Sequence, residues 1–180
     1  MKFCYDLLES NTLFIFSKKG DILMGTKIFN GRYIANCKDK EIVVFIIGMR
    51  INHLLKFWKW VPVFNAMGPM VKELYQNPQW GFLHTEFLFS WRKVILVQYW
   101  VGFEELVNYA HGKNHSYAWK TYNNKIKDNG SVGVFHETYQ IEKGASEAIY
   151  VNMPKTGLSK ATEHIPVSKD TNTAQKRMNG

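Results

Sequence analysis

The sequence predicts an α+β fold of the ferredoxin-like, split βαβ type: a four-stranded antiparallel sheet with helices covering one face. Three observations lead there. Four segments of the 180-residue chain carry strand character, at 42–52, 81–89, 93–100 and 132–141. Helical patterns separate the first from the second and the third from the fourth. Only Ser90-Trp91-Arg92 joins the middle two, a connection short enough for a hairpin.

Taken in order, residues 1–23 read as an extension ahead of the folded domain. Met24-Gly25 precedes a segment, GTKIFNGRYIA, that leads smoothly into the first strong strand, so Met24 is a candidate native start. The alternative is a short amphipathic lead-in around Tyr5 to Phe16. From Ile42 to Met49 run seven apolar residues and one glycine, after the charges of Lys38 to Glu41. A run so apolar and β-branched predicts a strand buried on both faces. Arg50 and Asn52 stand two apart at its exit and share a face. Small-molecule sites are built at such places; the alternative is a strand that simply emerges into solvent.

Pro62 suits an early helical position, and Phe64, Met67, Val71 and Leu74 form one apolar stripe behind it. Gly68-Pro69 should bend or interrupt this helix, and Asn77-Pro78 should end it. After the hairpin, residues 102–109 predict a short helix, Gly112 a break, and 115–126 a second helix. Asp128-Asn129-Gly130 is a turn, 132–141 the fourth strand, and 148–153 an added edge strand. The folded domain is thus expected over 24–153, with 154–180 a basic, partly flexible tail. Apolar residues occupy both parities of the strands. The sheet face away from the helices therefore needs a cover, and the simplest is a second copy in a two-fold homodimer.

Composition narrows the classes. A hydrophobic share of 46% supplies a sizeable core for one domain, and 15% aromatics suggest an aromatic-lined cavity or a large interface. No apolar run approaches the roughly 20 residues of a membrane helix, and no adequate leader is present, so a cytoplasmic setting is expected. Two cysteines give neither a disulfide framework nor metal-ligand spacing. The net charge of +8 is scattered and comes with no helix-turn-helix, zinc-finger or RNA-binding motif, so specific nucleic-acid recognition is not expected.

Several residues carry potential chemistry. His136 lies on the fourth strand, where an imidazole serves as a general base or binds iron; the alternative is a satisfied core histidine. His84 and Glu86 share a face of the second strand and form a polarised pair or, with Arg50, a buried charge network. Gln98 and Trp100 share a face of the third strand and suit a planar apolar ligand, or else core packing. Tyr139 shares parity with Glu137. His111 and His115 lack a third partner, so no metal site is expected. There is no Ser-His-Asp order, phosphate-cradling loop or dinucleotide fingerprint, which sets aside hydrolase, kinase and nicotinamide-enzyme readings.

The blocks GRYIA near 31–36, VVFIIGMRIN (43–52), KWVPVF (59–64), MVKELYQNP (70–78), GFLHTE (81–86), ILVQYW (95–100) and VGVFHETY (132–139) carry a resemblance. So does YVNMP (150–154) followed by Gly157-Leu158. Over roughly residues 25–165 the chain resembles a monooxygenase-like family related to a fumagillin-pathway enzyme and grouped with the dimeric α/β barrel superfamily. The resemblance implies a homodimeric oxidoreductase acting on an apolar small molecule between sheet and helices. On the residue chemistry above, His136, Glu86 and Arg50 are the candidate catalytic groups. Asn52, His84, Gln98, Trp100, His115, Trp119 and Tyr139 would contact substrate, His115 and Trp119 matching a His-then-Trp pattern of relatives. The cofactor would be none or haem. A dehydratase or lyase on the same fold, and a ligand-binding protein without turnover, stay open beside it.

Overall fold

The computed structural model describes residues 27–112 and 130–179. Its main sheet contains β2 (Ile42–Ile51), β3 (Phe82–Ser90), β4 (Lys93–Trp100) and β5 (Val132–Ile141) in the order β3-β4-β2-β5, every pair antiparallel. With helix α1 (Phe57–Gln76) between the first and second of these strands and α2 (Phe103–Ala110) between the third and fourth, this is the ferredoxin-like arrangement.

Parity explains how β2 is buried. Val43 and Met49 face the helices: Met49 packs with Val71 of α1, and Val43 with Leu74 of α1 and Leu106 of α2. Val44, Ile46 and Gly48 point the other way. The expected stripe on α1 is core-facing, since Phe64, Met67, Val71 and Leu74 all contribute to these clusters. The helix is longer than expected and spans both Pro62 and Pro69. Each proline removes one backbone donor, but tertiary packing of the stripe outweighs the loss and the helix runs through to Asn77. Pro78–Trp80 then makes a single 3-10 turn before β3. The expected helix at 115–126 lies outside the described residues.

The remaining strands depart from expectation. β1 (Phe29–Asn36) does not feed into the main sheet; it is the centre of a second antiparallel sheet, β6-β1-β7. β6 (Ile149–Met153), expected at an edge of the main sheet, pairs with β1 instead. β7 (Glu163–Pro166), α3 (Leu158–Ala161) and α4 (Ala174–Asn179) come from the stretch expected to be a partly flexible tail. Buried Arg177 holds α4 down through an ion pair to Glu147. A long-range partner for each of these short segments is what local composition fails to reveal. The chain's own return thus reaches the outer sheet face, where Gly157 lies against Glu86 and Tyr99 and part of the return lines a groove with Val44. Leu88, Phe135 and Tyr139 of that face remain exposed.

Candidate functional site

Where the sheet faces the helices, one transverse row runs Thr85–Gln98–Phe45–Thr138 across all four strands. Gln98 is buried, and its Oε1 accepts the indole N–H of Trp100 at 3.2 Å. Trp100 itself is fully buried against Phe82 and Tyr109, so it is part of the core that fixes this row. Thr85 is 1% exposed, yet its hydroxyl has no partner among the described residues. A buried, unpaired hydroxyl in a sheet core is uncommon and costs about 1–3 kcal/mol. One step along β5 from Thr138 stands His136, exposed, with its ring centroid 5.7 Å from that of Phe45. Among the described residues His136 makes no hydrogen bond.

The other face carries a second polar assembly around Glu86. The carboxylate accepts hydrogen bonds from Gly157 N–H (2.7 Å) and Thr156 Oγ1 (3.1 Å), contacts His84 Nε2 (3.1 Å), and pairs with Lys160 at 3.5 Å. Burial alone pushes this carboxyl up, but the bonds from His84 and Gly157 and the Lys160 charge outweigh it, leaving a pKa of about 2. An ionised Glu86 makes Nε2 of His84 the donor to it, and Nδ1 on the other side of the ring is hydrogen-bonded to Tyr75 Oη at 2.9 Å. Tyr75 in turn accepts the Thr85 N–H (3.2 Å) at the edge strand β3. The result is a continuous relay Tyr75–His84–Glu86 tying α1 to the C-terminal segment. Beside it opens a groove of about 490 Å³ lined by Val44, Tyr99, Tyr150 and Leu158. Burial, with the neighbouring phenol and Glu86, raises the Tyr99 pKa; burial likewise raises that of Tyr150, and both phenols stay protonated donors.

The sequence-predicted site residues therefore divide into groups. His136, Gln98 and Trp100 share the helix side; Glu86 and His84 lie on the other, so the expected convergence of Glu86 with His136 does not occur. The reason is parity: Glu86 aligns through Val97 with Ile46, whereas His136 aligns with Ile47. Arg50 donates to the Asn52 carboxamide, which donates to the Gly130 carbonyl at 2.8 Å. That pair sits four residues from Ile46, roughly 13 Å along the strand, and braces the start of β5 rather than joining Glu86. Tyr139 is exposed on the outer face and donates to Glu137 at 2.7 Å. His115 and Trp119 lie outside the described residues. Among the described residues no cluster of three metal-ligating side chains occurs. Nothing in the sequence assigned a site role to Thr85, Tyr75, Tyr99, Thr156, Gly157 or Lys160; only the Tyr150–Leu158 motif hinted that this return has a fixed task.

A curated relative, Monooxygenase af470 of Aspergillus fumigatus, is 27% identical over 141 residues, covering 72% of this chain and 50% of that protein. The chain thus spans about half the length of the curated relative it matches. Among solved structures, aldoxime dehydratase OxdRE in complex with butyraldoxime superposes with a TM-score of 0.61 at 14% identity, covering 78% of this chain and 42% of the other. That likeness concerns the fold alone. SnoaB, a cofactor-independent oxygenase from Streptomyces nogalater, aligns with a TM-score of 0.42 at 8% identity, covering 57% of this chain and 94% of its own. Residues 42–158, from the first strand of the main sheet to the start of α3, match the family described as Monooxygenase af470-like, and the chain belongs to that family.

Proposed function

We propose that the chain is a monooxygenase-type oxidoreductase whose apolar small-molecule substrate lies on the helix-facing side of the main sheet, over Phe45, with His136 as acid–base group. The observation that supports this reading is the buried Thr85 hydroxyl, unpartnered in a row that also holds Gln98 and Thr138. A hydroxyl kept dry and unpaired is available to a ligand's polar atom, while the surrounding apolar side chains take its body. In a cofactor-free scheme His136 removes a proton from an electron-rich substrate, and the resulting anion reacts with dioxygen. Glu86, ionised to about 2 and held by its neighbours, is a poor base near neutrality, and in this reading it anchors the C-terminal segment.

The imidazole of His136 is also the group that would hold a haem iron, since its exposed ring has no hydrogen-bond partner among the described residues and lies beside the Phe45 ring. A haem held there would supply an iron centre for oxygen or dehydration chemistry. Phe45 would flank it and Thr85 and Gln98 would orient the substrate. The homodimer belongs to the same proposal: exposed Leu88, Phe135 and Tyr139 on the outer face suit a second copy. A reducing, cytoplasmic setting agrees with the unpaired Cys37, whose Sγ lies 3.0 Å from Ser146 Oγ.

An absorbance spectrum combined with a native mass tests cofactor and assembly together. A Soret band lost in His136→Ala selects the haem scheme, whereas a protein that stays colourless through haem titration removes it. Dioxygen uptake with electron-rich apolar substrates, lowered at least about a hundredfold in His136→Ala, supports the base. Wild-type turnover in both His136→Ala and Thr85→Val overturns the site.

A further inference from the structure

The loop between β2 and α1 and the tip of the β3–β4 hairpin lie side by side at one end of the main sheet. Ile51 N–H donates to the Arg92 carbonyl (2.8 Å), Arg92 reaches the Asn52 carbonyl (3.5 Å), and Arg50 pairs with Lys93 in register. This pole exposes Leu55 (89%), Trp91 (83%), Phe57 (60%), Trp58 (59%) and Phe89 (58%). Single exposed apolar residues are ordinary; five large ones at one pole, two of them tryptophan, are not. The backbone beneath them is braced. Lys56 N–H donates to the His53 carbonyl (3.2 Å), and the Trp60 indole donates to the Leu54 carbonyl (3.0 Å), holding Leu55 at the turn between them.

Among the described residues, the two segments that build this pole carry charge of one sign. Residues 50–60 and 88–94 contain Arg50, Lys56, Lys59, Arg92 and Lys93 and no Asp or Glu. α1 begins here with no acidic residue in its first turn and no side-chain cap, so the positive end of the helix adds to the same field. A docking surface for another protein depletes charge at its centre. Exposed indoles and apolar side chains interleaved with cations are instead suited to a bilayer surface, the rings entering the headgroup boundary and the cations meeting phosphates. No helix among the described residues is long and apolar enough to cross a membrane, so the contact is with the surface.

We propose that the pole formed by Leu55, Phe57, Trp58, Phe89 and Trp91, with its five cations, docks the protein on an anionic lipid bilayer. The inference stands independently of the reaction assigned above, since none of these side chains belongs to the row containing Thr85 or is His136.

Sedimentation of the full chain with vesicles tests it, comparing phosphatidylcholine alone with a two-to-one mixture of phosphatidylcholine and phosphatidylglycerol. The wild type is expected to pellet with the mixed vesicles and to be released by high salt. The double variant Leu55→Ser/Trp91→Ser should bind at least about tenfold more weakly, and Lys93→Gln about fivefold, with the fold unchanged by circular dichroism. Val151→Ser, an exposed position on the second sheet, is the control that retains binding. A wild type left in the supernatant with both vesicles, or a double variant that pellets as well as wild type, overturns the proposal. So does a double variant that merely converts a dimer to monomers without vesicle binding by either protein, which would make the pole a self-interface. Equal binding of duplex DNA by wild type and double variant, with no vesicle binding, would reduce the pole to general polyanion attraction and equally refute it.

Discussion

The Glu86 carboxylate accepts the Gly157 N–H at 2.7 Å across 71 positions of sequence, and this bond joins the C-terminal return to the edge of the main sheet. Gly157 is suited to the role because its φ of +55° is one that residues with a side chain rarely adopt, and an added Cβ would lie 3.1 Å from the Tyr99 hydroxyl.

Replacing the carboxylate with an amide keeps the shape and removes the charge. Glu86→Gln should lower stability by about 2 kcal/mol, because the bonds from His84 and Lys160 lose their charge assistance. The pH dependence has a definite sign. The folded pKa of about 2 lies below the ordinary 4.5, so the full stabilisation is present above 4.5 and fades as pH falls toward 2. Urea midpoints across that interval should fall less steeply for the variant than for the wild type.

Thr85→Val exchanges an unpaired buried hydroxyl for a methyl group of similar volume. Stability should rise by about 1 kcal/mol while substrate affinity or turnover falls, a divergence visible by pairing thermal denaturation with a binding or rate assay. A variant that loses both stability and activity would point to ordinary packing instead.

Gly48 lies beneath the ring of Phe135: an added Cβ would sit 2.6 Å from its Cε1 and 3.0 Å from the Val94 carbonyl oxygen. Gly48→Ala must displace that ring and should cost about 1–3 kcal/mol. Adding Phe135→Ala should recover part of the loss, since the ring is the softer of the two obstacles; denaturant midpoints of the single and double variants measure this coupling.

His164 of β7 stacks on Tyr33 at 4.6 Å with Phe29 edge-on at 4.8 Å, and among the described residues neither of its nitrogens has a partner. Burial, and secondarily Lys155, lowers its pKa from 6.5. Below 6.5 the unfolded chain takes up a proton that the folded ring resists, so stability should decline as pH falls through and below that value. His164→Phe preserves the stack and should flatten this part of the profile in thermal denaturation.

The strands of the main sheet were legible because each signal is local. Ile42 to Met49 is apolar at both parities, Ser90 to Arg92 is too short for anything but a hairpin, and Asn77-Pro78 stops a helix wherever it occurs. Pro69 does not interrupt the helix, although a mid-helix proline is unfavourable in isolation, because Val71 and Leu74 beyond it are buried and hold the helix through. The site was only half legible. Side-chain alternation placed His136 and Glu137 on opposite faces, but nothing local says which face of β3 meets which face of β5. That depends on pairing register, including the irregularity between Phe82 and His84.

The sequence by itself determined the alternation of strands and helices and the gathering of polar residues on the strands, since periodicity and turn chemistry act over a few neighbouring residues. Only the tertiary structure decided that β1, β6 and β7 form a separate sheet, that Glu86 clamps the 156–160 return, and that Thr85 rather than Glu86 shares a face with His136. These are contacts between residues far apart in the chain. Their partners are selected by the burial and hydrogen bonding of the whole fold, which no short window of sequence contains.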